Sequence, residues 1–105
     1  MPREKYQTLT EQMFYILLCL QKECCGVDIM QMVAELTNER VLVGPGTLYS
    51  LLDNFVSQKM IIETKVEKRR KSYIITELGR DMLEKEYARL NQLVSDYEQL
   101  GRGGI

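Results

Sequence analysis

The sequence contains no histidine and no tryptophan among its 105 residues. Without histidine it lacks the usual general base, the usual partner of cysteine in zinc sites, and every catalytic triad that needs an imidazole. Its three cysteines, Cys19, Cys24 and Cys25, are an odd number in one short stretch, so no disulfide framework is predicted. An enzyme is therefore the least favoured class, and we expect no catalytic residue, metal site or cofactor.

Long apolar runs are also missing. The longest, Met13 to Leu20, is far shorter than the roughly 18 residues that a membrane-spanning helix needs. The first five residues lack the apolar segment of a signal peptide. We therefore expect a cytoplasmic chain without membrane contact. Its length and its 45% apolar content predict one small domain with a modest core.

Positive charge is scarce except in one segment. Residues 1–58 carry 4 basic and 7 acidic groups, a net charge of −3, and residues 77–105 carry 4 and 6, a net charge of −2. Residues 59–76 carry 6 basic and 2 acidic groups, a net charge of +4. This asymmetry indicates a local surface for a polyanion in an otherwise acidic protein.

Helical spacing of apolar residues dominates the first half of the chain. Thr8 and Glu11 have the spacing of a capping box before the first helix, and Asp28 is the predicted N-cap of the second. The β-branched run at residues 41–43 predicts one short strand. Gly44-Pro45-Gly46 then opens a third helix, because proline suits the first helical position. That helix places Leu48, Leu52 and Phe55 on one face.

The periodicity changes to that of strands after residue 59. Residues 60–66 and 72–76 predict a two-stranded hairpin with Glu67–Lys71 as its basic tip. Thr76 is the predicted cap of a last helix over residues 77–100. That helix carries an apolar seam with a period near 3.5, which requires a partner helix. The seam residues, our candidates for dimerisation, are Leu83, Tyr87, Leu90, Leu93, Val94 and Tyr97.

This order of elements predicts a mostly α (α+β) fold, a winged helix-turn-helix with a long C-terminal dimerisation helix. The predicted organisation is a DNA-binding domain at 1–76, a dimerisation helix at 77–100 and a disordered tail at 101–105. The basic hairpin tip is suited to phosphates. The first turn of the third helix offers free N–H groups and the hydroxyls of Thr47, Tyr49 and Ser50.

Two motifs at this spacing resemble the PadR family of bacterial transcriptional regulators. The first is Gly46-Thr47-Leu48-Tyr49 in the third helix, and the second is Lys71 to Gly79, with its Tyr-x-hydrophobic-Thr-x-x-Gly ending. The resemblance covers about residues 8–82, and the single terminal helix is similar to the smaller PadR subfamily. This chain differs from the pattern at Ser50, a frequent proline, and at Lys59, a usual glycine.

The resemblance implies a homodimeric repressor that binds a pseudo-palindromic operator in double-stranded DNA. It also implies release by a small-molecule effector held at the dimer interface. The recognition helix and the wing then supply the DNA contacts. The candidate DNA-binding residues are Thr47, Tyr49, Ser50, Asn54, Lys68, Arg69, Arg70 and Lys71.

Several alternatives stay open at the level of sequence. Tyr49 is suited equally to packing at the helix start and to a phosphate contact, and the basic run is also compatible with a solvated hairpin tip. Cys24 and Cys25 are a vicinal pair of the kind used in metalloid or redox sensing, without a histidine in support. The third helix has little positive charge. This favours a rival hypothesis, a winged-helix module that binds a protein partner without specific DNA binding.

Overall fold

A computed structural model of the chain describes residues 8–101 and contains four helices and three strands within that range. The elements, in chain order, are α1 (Glu11–Cys19), β1 (Cys24–Cys25), α2 (Gly26–Leu36), α3 (Pro45–Ser57), β2 (Ile61–Glu67), β3 (Arg70–Ile75) and α4 (Glu77–Leu100). This is a winged helix-turn-helix with a long terminal helix, and it confirms the predicted fold class. No helix within residues 8–101 is long and apolar enough to cross a membrane.

The core is built from the inner faces of the first three helices and the base of the hairpin. Ile16, Leu17, Ile29, Leu52 and Phe55 are completely buried there. The predicted core face of α3 is therefore confirmed. On α2 the buried side chains are Ile29 and Val33, while Met32 and Leu36 on the same helix remain 42% and 62% exposed.

The sheet contains a strand that the sequence pattern did not predict. Cys24–Cys25 forms β1 and pairs antiparallel with β3, giving the strand order β1-β3-β2. The predicted strand at residues 41–43 is wrong. Val41 and Val43 are buried there, but β1 and β2 already occupy both edges of β3, and Thr37 Oγ1 accepts from the Val41 N–H at 3.1 Å.

The turn of the hairpin is tighter than predicted. Glu67 pairs with Arg70, so the turn consists of Lys68 and Arg69 alone. Arg70 and Lys71, predicted for the tip, lie in β3 instead. Ladder hydrogen bonds continue to the end of the hairpin, and the pairing is irregular only between Glu63 and Lys65.

Two predicted helix caps are wrong. The cap of α1 is Thr10 and not Thr8, because the Thr10 hydroxyl accepts from the Met13 N–H at 3.2 Å. Helix α2 begins before Asp28, with Cys25 in the N-cap position and Asp28 in the first turn. The first turn of α2 thus gains a carboxylate at its positive end without a side-chain cap.

The junction between α3, the hairpin and α4 is held by backbone hydrogen bonds. After α3, Lys59 has a φ of 63°, and the Met60 N–H reaches the Phe55 carbonyl at 2.9 Å, as in a Schellman motif. This explains why the family pattern has glycine at residue 59. Thr76 caps α4 as predicted, accepting from the Gly79 N–H at 3.1 Å and donating to the Lys59 carbonyl at 2.7 Å.

Gly79 lies against the backbone at this junction. A Cβ at this position would meet the Met60 carbonyl oxygen and the Ile75 side chain. The threonine and glycine of the second motif therefore set how closely α4 approaches the body, and through this the direction of α4. In the predicted tail Gly101 forms a turn, and residues 102–105 lie outside the described range, as do residues 1–7.

Candidate nucleic-acid interface

The start of α3 presents unpaired backbone donors to solvent. Gly44 is an N-cap without a side-chain hydrogen bond, and Pro45 occupies the first turn. Leu48 donates to the Gly44 carbonyl at 2.9 Å, so the N–H groups of Gly46 and Thr47, which precede it, have no intrahelical acceptor. The first turn contains no acidic residue. These donors and the positive end of the helix dipole suit an anion such as a phosphate oxygen.

Gly46 is not required by packing inside the chain. A Cβ added at this position would meet nothing within 4 Å among the described residues. Glycine lowers helix stability by about 1 kcal/mol relative to alanine, so its presence in a helix needs another reason. Close approach of an external group to the backbone is such a reason.

Tyr49 packs at the start of α3, one of the two roles that its sequence context left open, and the other, a phosphate contact, stays a prediction. Its ring lies against Gly26 of α2, where an added Cβ would be 2.6 Å from the tyrosine oxygen. The side chain nevertheless stays 42% exposed. Packing on Gly26 therefore involves the phenol end of the ring, while part of the side chain stays at the surface.

The remaining candidates on α3 differ in exposure. Thr47 and Ser50 are exposed on the outer face, next to the helix start. Asn54 is half-buried and has a partner within the chain, so it is less accessible than they are. Asp53 is exposed on the same face, and α3 contains no lysine or arginine. The helix therefore brings donors but no cationic side chain to its outer surface.

The turn of the hairpin is conformationally unusual. Lys68 and Arg69 have φ values of 49° and 68°, the left-handed region that a two-residue type I′ turn demands at both central positions. Asn-Gly is the usual sequence for such a turn, because other side chains are strained there by roughly 1–2 kcal/mol each. Two long cationic residues occupy the positions least favourable to them.

The ion pairs of the hairpin lie below its turn. Lys65 is 3.0 Å from Glu67 and 3.6 Å from Glu23, and Lys71 is 3.7 Å from Glu63. Lys68, Arg69 and Arg70 have no ion pair with any residue in the described range. The unneutralised charge of the hairpin is therefore concentrated at its end.

A cleft of about 390 Å³ separates α3 from the hairpin. We call it the α3–wing cleft; it is lined by Cys25, Gly26, Val27, Tyr49, Asp53, Arg69, Arg70, Lys71 and Tyr73. Burial, and then the negative charge of Glu63 and Asp53, raises the pKa of the Tyr73 phenol, which stays protonated as a donor. The cleft thus brings together Tyr49 of α3 with Arg69, Arg70 and Lys71 of the wing. The other four candidates, Thr47, Ser50, Asn54 and Lys68, do not line it.

The seam of α4 divides into two parts. Leu83 is buried in the core of its own chain, with an exposure of 4%. Beyond it, an exposed apolar face runs along about three and a half turns of the helix. We call it the α4 stripe; it consists of Tyr87, Leu90, Leu93, Val94, Tyr97 and Leu100.

Glu86 is a buried charge that the sequence interpretation missed. It is 4% exposed, pairs with Arg89, and accepts a hydrogen bond from the Leu9 backbone. The Arg89 guanidinium, and then the Leu9 N–H, hold the pKa of this carboxyl below its usual range, against the effect of its burial. The sequence did contain a signal for its burial, because Glu86 lies three residues after Leu83 and four before Leu90, on the apolar face of the helix.

Cys24 and Cys25 lie in consecutive positions of β1. Successive side chains of a strand point to opposite faces, so the pair is not arranged to chelate one ion. Burial, and then the charges of Asp28 and Cys19, raises the pKa of the Cys24 thiol to about 11. Within residues 8–101 no group of three or more His, Cys, Asp or Glu residues is placed to hold a metal ion.

The sequence matches one known family. The sequence model described as the transcriptional regulator PadR-like family matches residues 16–85, which include α2, α3, the hairpin and the start of α4. No curated protein is significantly similar in sequence to this chain.

Solved structures share the fold. RosR of H. salinarum is 27% identical with a TM-score of 0.65, over 85% of this chain and 77% of that chain. A transcriptional regulator from Clostridium thermocellum is 20% identical with a TM-score of 0.73, over 83% and 86% of the two chains. The adhesin competence repressor AdcR of Streptococcus pyogenes is 21% identical with a TM-score of 0.60, over 91% and 68%. The last two likenesses concern the fold alone.

Proposed function

Because the chain belongs to the PadR-like family of transcriptional regulators, it is a DNA-binding regulator and not an enzyme, and we propose that it is a homodimeric repressor of a pseudo-palindromic operator. The observation that carries the proposal is the pairing of an open helix start with unneutralised cations at the end of the wing. Tyr49, in the second turn of α3, and Arg69 and Arg70 of the wing line the same α3–wing cleft. A regulator of this kind acts in the cytoplasm, where its operator lies.

In the proposed complex, α3 enters the major groove with its first turn toward the backbone. The N–H groups of Gly46 and Thr47 receive a phosphate oxygen, and the hydroxyls of Tyr49 and Ser50 add donors beside it. Tyr49 is held by Gly26, so little side-chain freedom is lost on binding. These contacts position the helix on the duplex.

The wing supplies most of the affinity. Protein cations that neutralise phosphates release counterions, and this term dominates non-specific DNA binding. Lys68, Arg69 and Arg70 are exposed without an ion pair in the described range, and α3 offers no cation. Lys71 joins them on DNA after leaving its long, exposed contact with Glu63, which costs little.

The α4 stripe is the proposed dimer interface. Large apolar side chains such as Tyr97 and Leu100 are 60% and 61% exposed on one helix face, which is costly unless a partner covers them. A second copy presents the same face, as two-fold symmetry requires. Two recognition helices then lie about 34 Å apart, one turn of B-DNA.

The effector is proposed to bind beside this interface. A cleft of about 280 Å³ lies between α1 and α4, with Phe14 and Tyr15 on one side and Leu90 on the other. Because Leu90 also belongs to the α4 stripe, a small molecule there contacts both the body and the dimer interface. Release of the operator by such a molecule is part of the proposal.

The test is salt-dependent binding to DNA from upstream of the gene. We expect fluorescence anisotropy to give an affinity that falls steeply with salt, and the variant Arg69→Ala/Arg70→Ala/Lys71→Ala to weaken binding to all sequences and flatten the salt slope. The matched control is Lys22→Ala/Arg80→Ala/Lys85→Ala, which removes equal charge outside α3 and the wing. Equal effects of the two variants, or no salt-sensitive binding, would refute the proposal.

A second candidate is a winged-helix module that binds a protein. The observation in its favour is the outer face of α3, which carries Asp53 and no basic residue. Affinity capture that recovers a stoichiometric protein partner and no DNA would support this candidate over the first.

A further inference from the structure

Three sulfur-containing residues, one each from α1, β1 and α2, line a single surface cleft. Cys24 Sγ of β1 lies 3.7 Å from Met32 Sδ of α2. Cys19, at the end of α1, lines the same surface cleft and is close enough for its charge to affect the Cys24 thiol. We call these three residues the sulfur cluster.

The fold brings the cluster together from three elements. The chain turns from α1 into β1 within four residues, which places Cys19 and Cys24 on neighbouring elements. Met32 lies on α2 next to the buried Val33 but remains 42% exposed. Its thioether is therefore not committed to core packing and is reachable from solvent.

The donors are of one chemical type. Thiolate and thioether sulfurs are soft ligands that select soft cations such as Cu(I). A metal–sulfur bond is about 2.3 Å long, so two sulfurs 3.7 Å apart can bind the same ion without separating. Cys19, which is 7% exposed, lines the same cleft and is the candidate third ligand.

The surroundings favour a cation. The cleft, of about 430 Å³, is lined by the carboxylates of Glu23, Asp28 and Glu35 and by a single cation, Lys22. This local charge attracts a positive ion to a group of otherwise neutral thiols. Each cysteine that binds the ion exchanges its proton for an S–Cu bond and releases that proton to solvent, and no electron is transferred because copper enters as Cu(I).

We propose that the sulfur cluster of Cys19, Cys24 and Met32 is a binding site for a soft monovalent cation, Cu(I). Zinc does not fit, because it is usually held by four nitrogen, oxygen or thiolate ligands and no three His, Cys, Asp or Glu side chains in the described range are placed to hold one ion. The vicinal pair Cys24–Cys25 is not the site. Cys25 shares another cleft with Cys24, but it does not line the cleft that contains Cys19, Cys24 and Met32.

The test is competition for Cu(I) under anaerobic, reducing conditions. The full chain is titrated against a chromophoric Cu(I) chelator, and we expect wild type to withdraw a single Cu(I) per chain. Cys24→Ser should lose this binding, and Met32→Leu, which keeps the volume, should weaken it by at least about tenfold. Cys25→Ser is the matched control and should bind as wild type does.

Two results would overturn the proposal. One is loss of Cu(I) binding in Cys25→Ser equal to that in Cys24→Ser, and the other is no competition by wild type. Circular dichroism of each variant checks that the fold is kept. X-ray absorption at the copper edge of the wild-type complex needs no variant: it should show only sulfur neighbours at about 2.3 Å, and nitrogen or oxygen ligands would contradict the assignment.

Discussion

Replacing the wing turn by Asn-Gly should make the protein more stable and a weaker DNA binder. The double variant Lys68→Asn/Arg69→Gly gives the turn the residues that a type I′ conformation favours, and it removes two cations from the end of the hairpin. Stability and binding should therefore change in opposite directions. A general loss of folding would lower both.

The stability change can be estimated from the backbone. Each non-glycine residue in the left-handed region costs roughly 1–2 kcal/mol, and glycine returns about 0.5–1 kcal/mol of this through the entropy of the unfolded chain. Relief at Lys68 and Arg69 should then stabilise the fold by about 1–2 kcal/mol. For a domain of this size the Tm should rise by about 5–10 °C.

The binding change follows from counterion release. Each phosphate contact contributes about 0.9 to the slope of log affinity against log salt. Loss of two contacts from each protomer of a dimer should reduce the slope by about 3–4. Thermal melts give the first quantity, and anisotropy titrations over a series of salt concentrations give the second.

A single variant separates the two effects. Lys59→Gly also removes a lysine held at positive φ, but at the C-terminal end of α3 and outside the wing turn. It should raise the Tm and leave the salt slope nearly unchanged. A lower Tm for Lys68→Asn/Arg69→Gly would show that the turn is not strained. A salt slope equal to that of wild type would show that the turn does not contact phosphates.

Three further predictions concern single sites. Gly46→Ala should keep or raise the Tm while weakening DNA binding, because the added Cβ meets nothing inside the described part of the chain. Gly79→Ala should lower the free energy of unfolding in urea by about 1–3 kcal/mol, because the Cβ there would meet the Met60 backbone. Leu93→Glu in the α4 stripe should give a monomer by sedimentation, with the circular dichroism of the body unchanged. Glu86→Gln should destabilise the fold by about 1–3 kcal/mol at pH 7. Because the pKa of Glu86 is lower in the folded protein, its contribution to stability is fully present above the unfolded pKa of about 4.3 and is lost as the pH falls through the folded pKa. The difference in urea midpoint between wild type and Glu86→Gln should therefore shrink as the pH is lowered below about 4.3.

Elements with strong local signals could be predicted from the sequence. The proline at the first turn of α3 and the threonine before α4 mark helix starts that depend on a few neighbouring residues. The burial of Leu48, Leu52 and Phe55 followed from helical spacing in the same way. For these elements the tertiary structure adds to a preference that the local sequence already has.

The errors lie where a distant partner decides. Cys24–Cys25 is a strand only because one edge of β3 is open beside it, and no two-residue pattern reveals this. The longer run at residues 41–43 has strand character but no edge to join. The sequence predicted a five-residue tip because Lys68-Arg69 does not have a typical turn sequence. The pairing of Glu67 with Arg70 nevertheless makes these two residues the turn.

The positive-φ residues connect these errors to function. Five non-glycine residues have this conformation within the described range, and three of them, Lys59, Lys68 and Arg69, are cations in the one segment with net positive charge. Glycine or asparagine would relieve the backbone at each of the three positions. Replacing all three would lower the net charge of residues 59–76 from +4 to +1. Backbone preference alone would therefore favour residues that leave this segment nearly neutral, and most of its net positive charge comes from cations in strained conformations. The variant Lys68→Asn/Arg69→Gly measures how much of the DNA affinity depends on the two cations at the turn.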